Sequence, residues 1–186
     1  MNIAIYCGSS FGNKKIYTEA TKKLARELSQ RGINIVYGGS NQGLMGVVSD
    51  EAMAHNNKVI GVIPYSLVNK EIENKNISEI HKVQSMNHRK EKMEDLSDAF
   101  IAMPGGYGTL DEMFEVLSEA QLGKHKKACA FYNIDGYYDK LMEFLYGCVK
   151  NGFMNKRFVD MIIISDDPAV LVDKILAFTP VKNKWE

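Results

Sequence analysis

The residues best suited to chemistry in this 186-residue chain lie in two stretches, residues 86–94 (MNHRKEKME) and residues 104–112 (PGGYGTLDE). Helical spacing puts Met86, Lys90 and Met93 on one face, with Arg89 beside them. A planar guanidinium at Arg89 can bind a phosphate through two N–H groups, and Lys90 adds a point charge. Composition alone favours another interpretation, a solvated basic face whose charges pair with nearby acids of the same helix: Glu91, Glu94 or Asp95.

Glu112 has two interpretations that the sequence leaves open. Thr109-Leu-Asp-Glu112 has the spacing of a capping box, in which Thr109 caps a helix and Glu112 reaches back to its first turn. The same spacing would fix a carboxylate at the mouth of a phosphate-binding turn, beside a sugar attached to that phosphate. The residues by themselves favour neither.

Three turns that contain glycine follow predicted strands. They are Gly8-Ser9-Ser10, the segment GGSNQGLMG at residues 38–46, and PGGYGT at residues 104–109. Glycine lets the backbone approach a ligand, and a following helix directs unpaired N–H groups and a partial positive charge outward, as a phosphate requires. A single such turn can simply end a strand, but three at matched positions favour a phosphate site. Neither long turn has a P-loop ending or GxGxxG spacing, which disfavours an ATPase or a dehydrogenase.

The elements that must position these residues follow a βαβ pattern. Short apolar, β-branched runs alternate with amphipathic helical segments, so we predict one α/β domain over residues 1–186, with a mainly parallel sheet of about seven strands and helices on both faces. In an open parallel sheet, ligands bind beyond the carboxyl ends of the strands, where all three turns lie. The predicted strands are Asn2–Cys7, Ile33–Tyr37, Lys58–Ile63, Ile80–Val83, Ala99–Met103, Ala128–Tyr132 and Met161–Ile164.

Apolar stripes mark three helices, and one long segment lacks any period. The segment at residues 65–79 is rich in Asn, Lys and Glu, and so long a loop in a compact domain is often functional. The stripes predict core contacts. Their members are Tyr17, Ala20, Leu24 and Leu28; Leu110, Met113, Phe114 and Leu117; and Tyr138, Leu141, Met142, Leu145 and Val149.

Charge and cysteine content exclude several classes of partner. Lys plus Arg and Asp plus Glu both number 23, so the net charge is zero and gives no global attraction for nucleic acid or an anionic membrane. A small-molecule partner is expected. Cys7, Cys129 and Cys148 form neither a CxxC nor a Cys/His spacing, which predicts reduced core thiols and no metal site. The N-terminus has no basic leader before its short apolar run, so we expect a cytoplasmic protein.

Several motifs resemble the Lonely Guy (LOG) family of cytokinin riboside 5'-monophosphate phosphoribohydrolases. PGGYGTLDE is followed by EVLSEAQLG and NIDGYYDKL, as in that family, and CGSS and GVIP also fit. YGGSNQGLMG resembles the family's glycine turn with Ser40 in place of a Gly. MNHRKEKM resembles its Met-His-x-Arg-Lys-x-x-Met motif with Asn87 in place of the His. The resemblance extends to about Phe153.

The resemblance implies a doubly wound, Rossmann-like fold, a homodimer, and hydrolysis of AMP or an N6-substituted AMP to free base and ribose 5-phosphate without a cofactor. It implies that Arg89 and Glu112 form the catalytic pair. Lys90 and the PGGYGT backbone would help to hold the nucleotide, and Glu71 would contact the substrate. The expected substrate-binding set is Gly8, Ser9, Gly39, Glu71, Met86, Arg89, Lys90, Pro104, Gly105, Gly106, Gly108 and Thr109.

Three alternatives compete with a hydrolase. A non-enzymatic nucleotide-binding module would use the same glycine turns, although the pairing of Arg89 with Glu112 favours an enzyme. Amino acid decarboxylation is disfavoured, even though this family has sometimes carried a lysine decarboxylase label, because no lysine in the sequence is recognisably set up for a pyridoxal Schiff base. A purely structural role has no support from the neutral composition.

Overall fold

A seven-stranded parallel sheet forms the centre of the computed structural model, which describes residues 1–68 and 73–185. Every strand pairs in parallel with its neighbours. The expected fold class, a Rossmann-like parallel sheet covered by helices, is therefore confirmed. The strands are β1 (Asn2–Tyr6), β2 (Asn34–Tyr37), β3 (Val59–Pro64), β4 (Glu79–Val83), β5 (Ala99–Ala102), β6 (Ala128–Tyr132) and β7 (Ile163–Ser165).

The strand order β4-β3-β2-β1-β5-β6-β7 determines where a ligand can bind. The chain builds outward from β1 in one direction as far as β4, then returns to the other side of β1 and builds outward again from β5. The loops after β1 and β5 consequently diverge to opposite faces and leave a crevice between them. The loop after β2 adjoins the same crevice, so three neighbouring strands deliver the three glycine turns to one place.

Helices cover both faces of the sheet. The core accordingly divides into two clusters of buried side chains, one beneath α1, α2 and α7 and the other beneath α3 to α6. The helices are α1 (Lys15–Gln30), α2 (Gly43–Ala54), α3 (Met86–Asp95), α4 (Tyr107–Leu122), α5 (Asp139–Lys150), α6 (Lys156–Asp160) and α7 (Pro168–Leu176), with a short 3-10 turn at Ile134–Gly136.

The predicted apolar stripes do face the core. In α1, Leu24 and Leu28 are fully buried, and each such side chain stabilises the fold by roughly 1.5–3 kcal/mol. In α4, Met113 and Leu117 are buried while Phe114 packs partly buried against the same cluster. Most strand bounds differ from prediction by only a residue or two.

The largest displacement affects the last strand, which was predicted at residues 161–164 and is found at Ile163–Ser165. Met161 ends the short helix α6 as its C-terminal cap, and the amide of Ile162 still donates to the carbonyl of Val159. An apolar run therefore straddles a helix end and a strand start, and hydrophobicity alone does not separate them.

The helices and the cysteines bear on membrane insertion and on disulfide bonding. Within residues 1–68 and 73–185, no helix combines the length and apolar character needed to cross a membrane. Cys7, Cys129 and Cys148 are free thiols, of which the first two are buried.

Candidate active site

The loops after β1, β2 and β5 are bound to one another through their backbones. The Gly8 amide donates to the Pro104 carbonyl at 3.1 Å, and the Leu44 amide donates to the Gly8 carbonyl at 3.1 Å. Gly43 begins α2 with a φ of +54°, and a Cβ there would collide with the backbone of Ser9 and Ser10. Glycine at this position is thus required both by its conformation and by the close approach of the first turn.

The helix after the third turn begins earlier than a capping box would require. Gly106 is the N-cap of α4, no side chain caps the helix, and Thr109 is already its third residue. The capping-box interpretation of Glu112 is therefore wrong, since Glu112 lies in the second turn of the helix. The first N–H groups of a helix have no partner within it. Here they begin at the glycine turn, where an anion would meet them.

A buried ion pair joins α3 to α4. Arg89 Nη2 lies 3.2 Å from Glu112 Oε1, and the two side chains are only 8% and 7% exposed. The sequence-based alternative of a solvated Arg89 that pairs within its own helix is consequently wrong. Ser85 begins α3 as its N-cap and accepts a hydrogen bond from the His88 amide, which fixes where the helix starts and so which face carries Arg89.

The guanidinium lies against the second glycine turn. A Cβ on Gly38 would collide with Arg89 Nη2 and would also press on the Met45 sulfur. Arg89 Nη1 is directed at the Met86 sulfur, 3.8 Å away. The absence of a side chain at Gly38 therefore gives the guanidinium its place beside Glu112.

Burial and charge in this region affect two neighbouring groups on β1 and its end. Burial raises the pKa of the Cys7 thiol well above its usual range, and the Glu112 carboxylate raises it further while Arg89 opposes the shift. Burial also raises the pKa of Tyr6, again with Glu112 adding to the shift. Both groups stay protonated at neutral pH, so Cys7 is not a nucleophile here.

A cavity of about 280 Å³ opens over the ion pair. Arg89 and Glu112 contribute to its wall together with the turns after β1 and β5, so the two charges predicted to be catalytic face one space. The described residues that line it are Cys7, Gly8, Ser9, Met45, Leu67, Met86, Arg89, Gly106, Tyr107, Gly108, Thr109 and Glu112.

A second cavity of about 260 Å³ adjoins the first and shares Gly8 and Gly106 with it. Pro104 and Gly105, both predicted to bind substrate, line this second space. Its other described walls come from the β1–α1 loop, from the start of α2 and from two tyrosine side chains: Ser10, Phe11, Gly12, Leu44, Tyr17 and Tyr137.

Two consecutive tyrosines hold the turn between these cavities. The Tyr137 hydroxyl donates to the Gly105 carbonyl at 2.7 Å, and the Tyr138 hydroxyl donates to the Met103 carbonyl at 2.6 Å. Tyr138 is 2% exposed, and the two rings pack edge to face with centroids 5.0 Å apart. The motif NIDGYYDKL thus anchors the backbone on both sides of Pro104.

The structure separates two predicted binding residues from the cavity. Lys90 Nζ is held by Asp111 at 3.1 Å and by Glu115 at 2.5 Å, and these contacts, led by the Glu115 hydrogen bond, raise its pKa. Lys90 is absent from the described lining of both cavities. Gly39 packs against Ile63 of β3, also away from that lining. Glu71 lies outside the described residues.

Four residues of the described cavity wall were not singled out from the sequence. Cys7 and Met45 are apolar positions that resemble ordinary core, and Leu67 belongs to the aperiodic segment at 65–79. Tyr107 is 96% exposed at the start of α4. The one available signal was its place inside PGGYGT, where a large aromatic interrupts the glycines.

These features define a Rossmann-like α/β protein with an open crevice at its topological switch point. Unpaired helical N–H groups and a buried guanidinium supply positive potential, and a fixed carboxylate lies across the same space. Such an arrangement can hold a phosphate and can stabilise positive charge that develops nearby.

Comparison with known proteins identifies the family. The family model described as "Possible lysine decarboxylase" matches residues 45–175. The cytokinin riboside 5'-monophosphate phosphoribohydrolase LOG of Oryza sativa subsp. japonica is 43% identical over 178 residues, which span 96% of this chain and 74% of that protein. The enzyme LOG1 of Arabidopsis thaliana is 41% identical over 190 residues, spanning 99% and 89%. The chain belongs to this LOG family.

Solved structures agree on the fold alone. A molybdenum cofactor binding protein from Rippkaea orientalis superimposes with a TM-score of 0.71 at 20% identity, covering 95% of each chain. The molybdenum cofactor carrier protein of Chlamydomonas reinhardtii gives a TM-score of 0.69 at 16% identity, covering 95% of this chain and 98% of that one.

Proposed function

We propose that the chain hydrolyses the N-glycosidic bond of AMP or an N6-substituted AMP, releasing the free base and ribose 5-phosphate. The observation that carries the proposal is the Arg89–Glu112 pair, buried in the wall of a cavity that the glycine turn at the start of α4 also lines. The relatives named above bear this activity in their names, and they match nearly the whole chain.

The 5'-phosphate binds at the first turn of α4. Gly106, Tyr107 and Gly108 line the cavity, and the partial positive charge of a helix N-terminus favours an anion at this point. Gly8 and Ser9 also line this cavity. Binding energy from the phosphate, which does not react, holds the ribose in position for cleavage.

Glu112 acts at ribose C1'. Cleavage of a glycosidic bond passes through an oxocarbenium-like state, and a fixed carboxylate beside C1' stabilises its positive charge. A water molecule supplies the new C1'–O bond and loses a proton, while the C1'–N bond breaks and the purine leaves with its electron pair and takes up a proton. Glu112 is also suited to orient or deprotonate that water.

Arg89 pairs with Glu112 and contacts the substrate. A guanidinium does not lose its proton in proteins, so Arg89 serves as a fixed cation and hydrogen-bond donor. Its Nε is buried and finds no hydrogen-bond partner among residues 1–68 and 73–185, so a substrate oxygen or the leaving base can supply one. Lys90 keeps the binding role that the resemblance implies only if it leaves Asp111 and Glu115.

A substrate panel tests the proposal. Purified protein is incubated with AMP, isopentenyladenosine monophosphate and the two matching nucleosides, and free base is measured by chromatography. We expect base from the nucleotides and little from the nucleosides, because the phosphate anchor is missing. Equal hydrolysis of adenosine and AMP would refute the anchor. Intact AMP alongside measurable binding would favour the non-catalytic module.

We further propose that the protein acts as a cytoplasmic homodimer. Exposed aromatic and aliphatic side chains support a second copy as partner, since Phe144 is 64% and Phe153 is 89% exposed. Light scattering should give twice the chain mass, and a fully active monomer would contradict the dimer.

The cytoplasmic location is supported by the free thiols, which suit a reducing compartment. Fractionation of cells should recover the protein with cytoplasmic markers.

A further inference from the structure

A larger cavity lies at the same edge of the sheet but away from the ion pair. It measures about 570 Å³ and lies between α1 and the loops that follow β6 and β7. We call it the α1–α7 cavity. Its floor is Tyr132, the last residue of β6, and acidic side chains stand on its walls: Glu19, Glu27, Asp135, Asp166 and Asp167.

Tyr132 is a buried side chain whose hydroxyl opens into the cavity and has no hydrogen-bond partner within residues 1–68 and 73–185. The residue as a whole is 1% exposed. Burial raises the pKa of Tyr132 to about 12, and the Asp167 and Asp166 carboxylates add to the shift. The hydroxyl therefore lies in a negative field and stays protonated, so that its oxygen remains free to accept a hydrogen bond.

Acidic side chains outnumber basic ones in the lining of the α1–α7 cavity. Two bases, Lys23 and Arg26, stand against the five acids, and Arg26 is already bound to Glu51 at 2.6 Å. Three of the acids also have partners, because Asp135 binds Lys14, Glu27 binds Arg31 and Asp167 accepts a hydrogen bond from the Val170 amide. The balance still leaves an excess of carboxylate around an unused hydroxyl, which suits a cationic donor.

We propose that the α1–α7 cavity is a binding site for a small aliphatic amine, whose ammonium group donates to the Tyr132 hydroxyl and the neighbouring Asp166 carboxylate. The aliphatic part of the ligand packs on Ile16, Ala20 and Ile134, which also line the cavity. The site is separate from Arg89 and Glu112, and it does not depend on the proposed hydrolysis.

Calorimetric titration of the full chain with putrescine tests the site. We expect binding of one ligand per chain that weakens as salt is added. Tyr132→Phe removes only the hydroxyl and should weaken binding roughly tenfold, the effect of one hydrogen bond to a charged group. Asp166→Asn should weaken it about threefold, since this carboxylate is exposed to solvent. Both variants should release base from AMP at the wild-type rate.

Asp95→Asn is the matched control, because Asp95 is an exposed acid of α3 that does not line the cavity. It should bind putrescine like the wild type. Absence of putrescine binding by the folded wild type would overturn the site, as would unchanged affinity in Tyr132→Phe. Equal weakening by Asp95→Asn would mean diffuse attraction to surface acids, and competition by inorganic phosphate would mean an anion site; either result rejects the proposal.

Discussion

Two neighbouring bases of α3, Arg89 and Lys90, form ion pairs with α4, and of these two only Arg89 faces the candidate active site. Arg89 pairs with Glu112 at 3.2 Å, whereas its neighbour Lys90 pairs with Glu115 at 2.5 Å. The side chains of the first pair are 8% and 7% exposed, and those of the second are 17% and 37% exposed. The shorter contact is the more exposed one, so distance does not identify the functional pair.

The two pairs differ because successive residues of a helix point about 100° apart. Arg89 shares the buried side of α3 with Met93, while Lys90 is turned toward the outer acids of α4. A buried pair costs desolvation that attraction does not always offset, so it is weak evidence for a stabilising role. Placement of both charges in the wall of a cavity favours chemistry as the reason for their burial.

Removal of the buried cation should give the largest effect on activity. Arg89→Ala leaves Glu112 buried without its cation, and we expect base release from AMP to fall roughly 100-fold or more, with a loss of about 3–5 kcal/mol in the free energy of unfolding. Initial rates and urea unfolding measure both effects. Arg89→Lys keeps the positive charge but loses the planar guanidinium, so its rate of base release should remain well below that of the wild type. Lys92→Ala on the same helix is the control. Equal losses of base release and of stability in this variant would show that the burial of Arg89 has no special role.

A methyl group at Gly38 should disturb the buried pair without touching either charge. Gly38→Ala pushes Arg89 Nη2 away from Glu112, and we expect a fall in kcat of about 10- to 100-fold. Gly147→Ala on α5 adds the same methyl where nothing lies within 4 Å, so its rate should equal that of the wild type. If the two variants are equally active, the position of the guanidinium does not matter.

The tyrosine that holds the turn should have a smaller effect, mainly on binding. Tyr137→Phe frees the Gly105 carbonyl, so the helical N–H groups that meet the phosphate are less well fixed. We expect KM for AMP to rise about fivefold, the effect of one ordinary hydrogen bond, with little change in kcat. Tyr146→Phe is the control, because its hydroxyl bonds the remote Asp160. A fall in kcat with KM unchanged would assign Tyr137 to another role.

Substitution of Lys90, which pairs with Asp111 and Glu115 outside the cavity, should have the smallest effect on activity. Lys90→Gln is expected to change kcat/KM by less than about fivefold, because the amine is bound by two acids outside the cavity and exposed pairs contribute little. The same substitution tests the nucleotide-binding role that the resemblance implies for Lys90. A rise in KM as large as that for Arg89→Ala would show that Lys90 reaches the nucleotide.

The sequence predicted the fold well because the strands are short apolar runs separated by amphipathic helices. The stripe through Leu24 and Leu28 follows directly from helical periodicity, and the strand at Ala128–Tyr132 follows from its continuous apolar run. The three turns were predicted at one edge of the sheet, and the strand order brings them together. Periodicity was ambiguous only where a helix end and a strand shared one apolar run, at Met161–Ile164.

The site was harder to predict, because helical spacing does not specify which face is buried. The pattern put Lys90 with Met86 and Met93, while the fold buries Arg89 with Met93. Thr109 and Glu112 have capping-box spacing, yet α4 begins before them at Tyr107. A Cβ at residue 38 would collide with Arg89, so the guanidinium needs a glycine there. This contact joins segments that are distant in the sequence, and no local sequence pattern reveals it.

Base release from AMP by Glu112→Gln and Glu115→Gln, measured side by side, tests the central claim most directly. Each substitution removes one carboxylate charge from α4 and keeps nearly the same shape. We predict that Glu112→Gln lowers kcat roughly 100-fold or more while Glu115→Gln stays within about fivefold of wild type. Near wild-type turnover by a folded Glu112→Gln variant, or equal losses in both, would contradict a catalytic role for the buried pair.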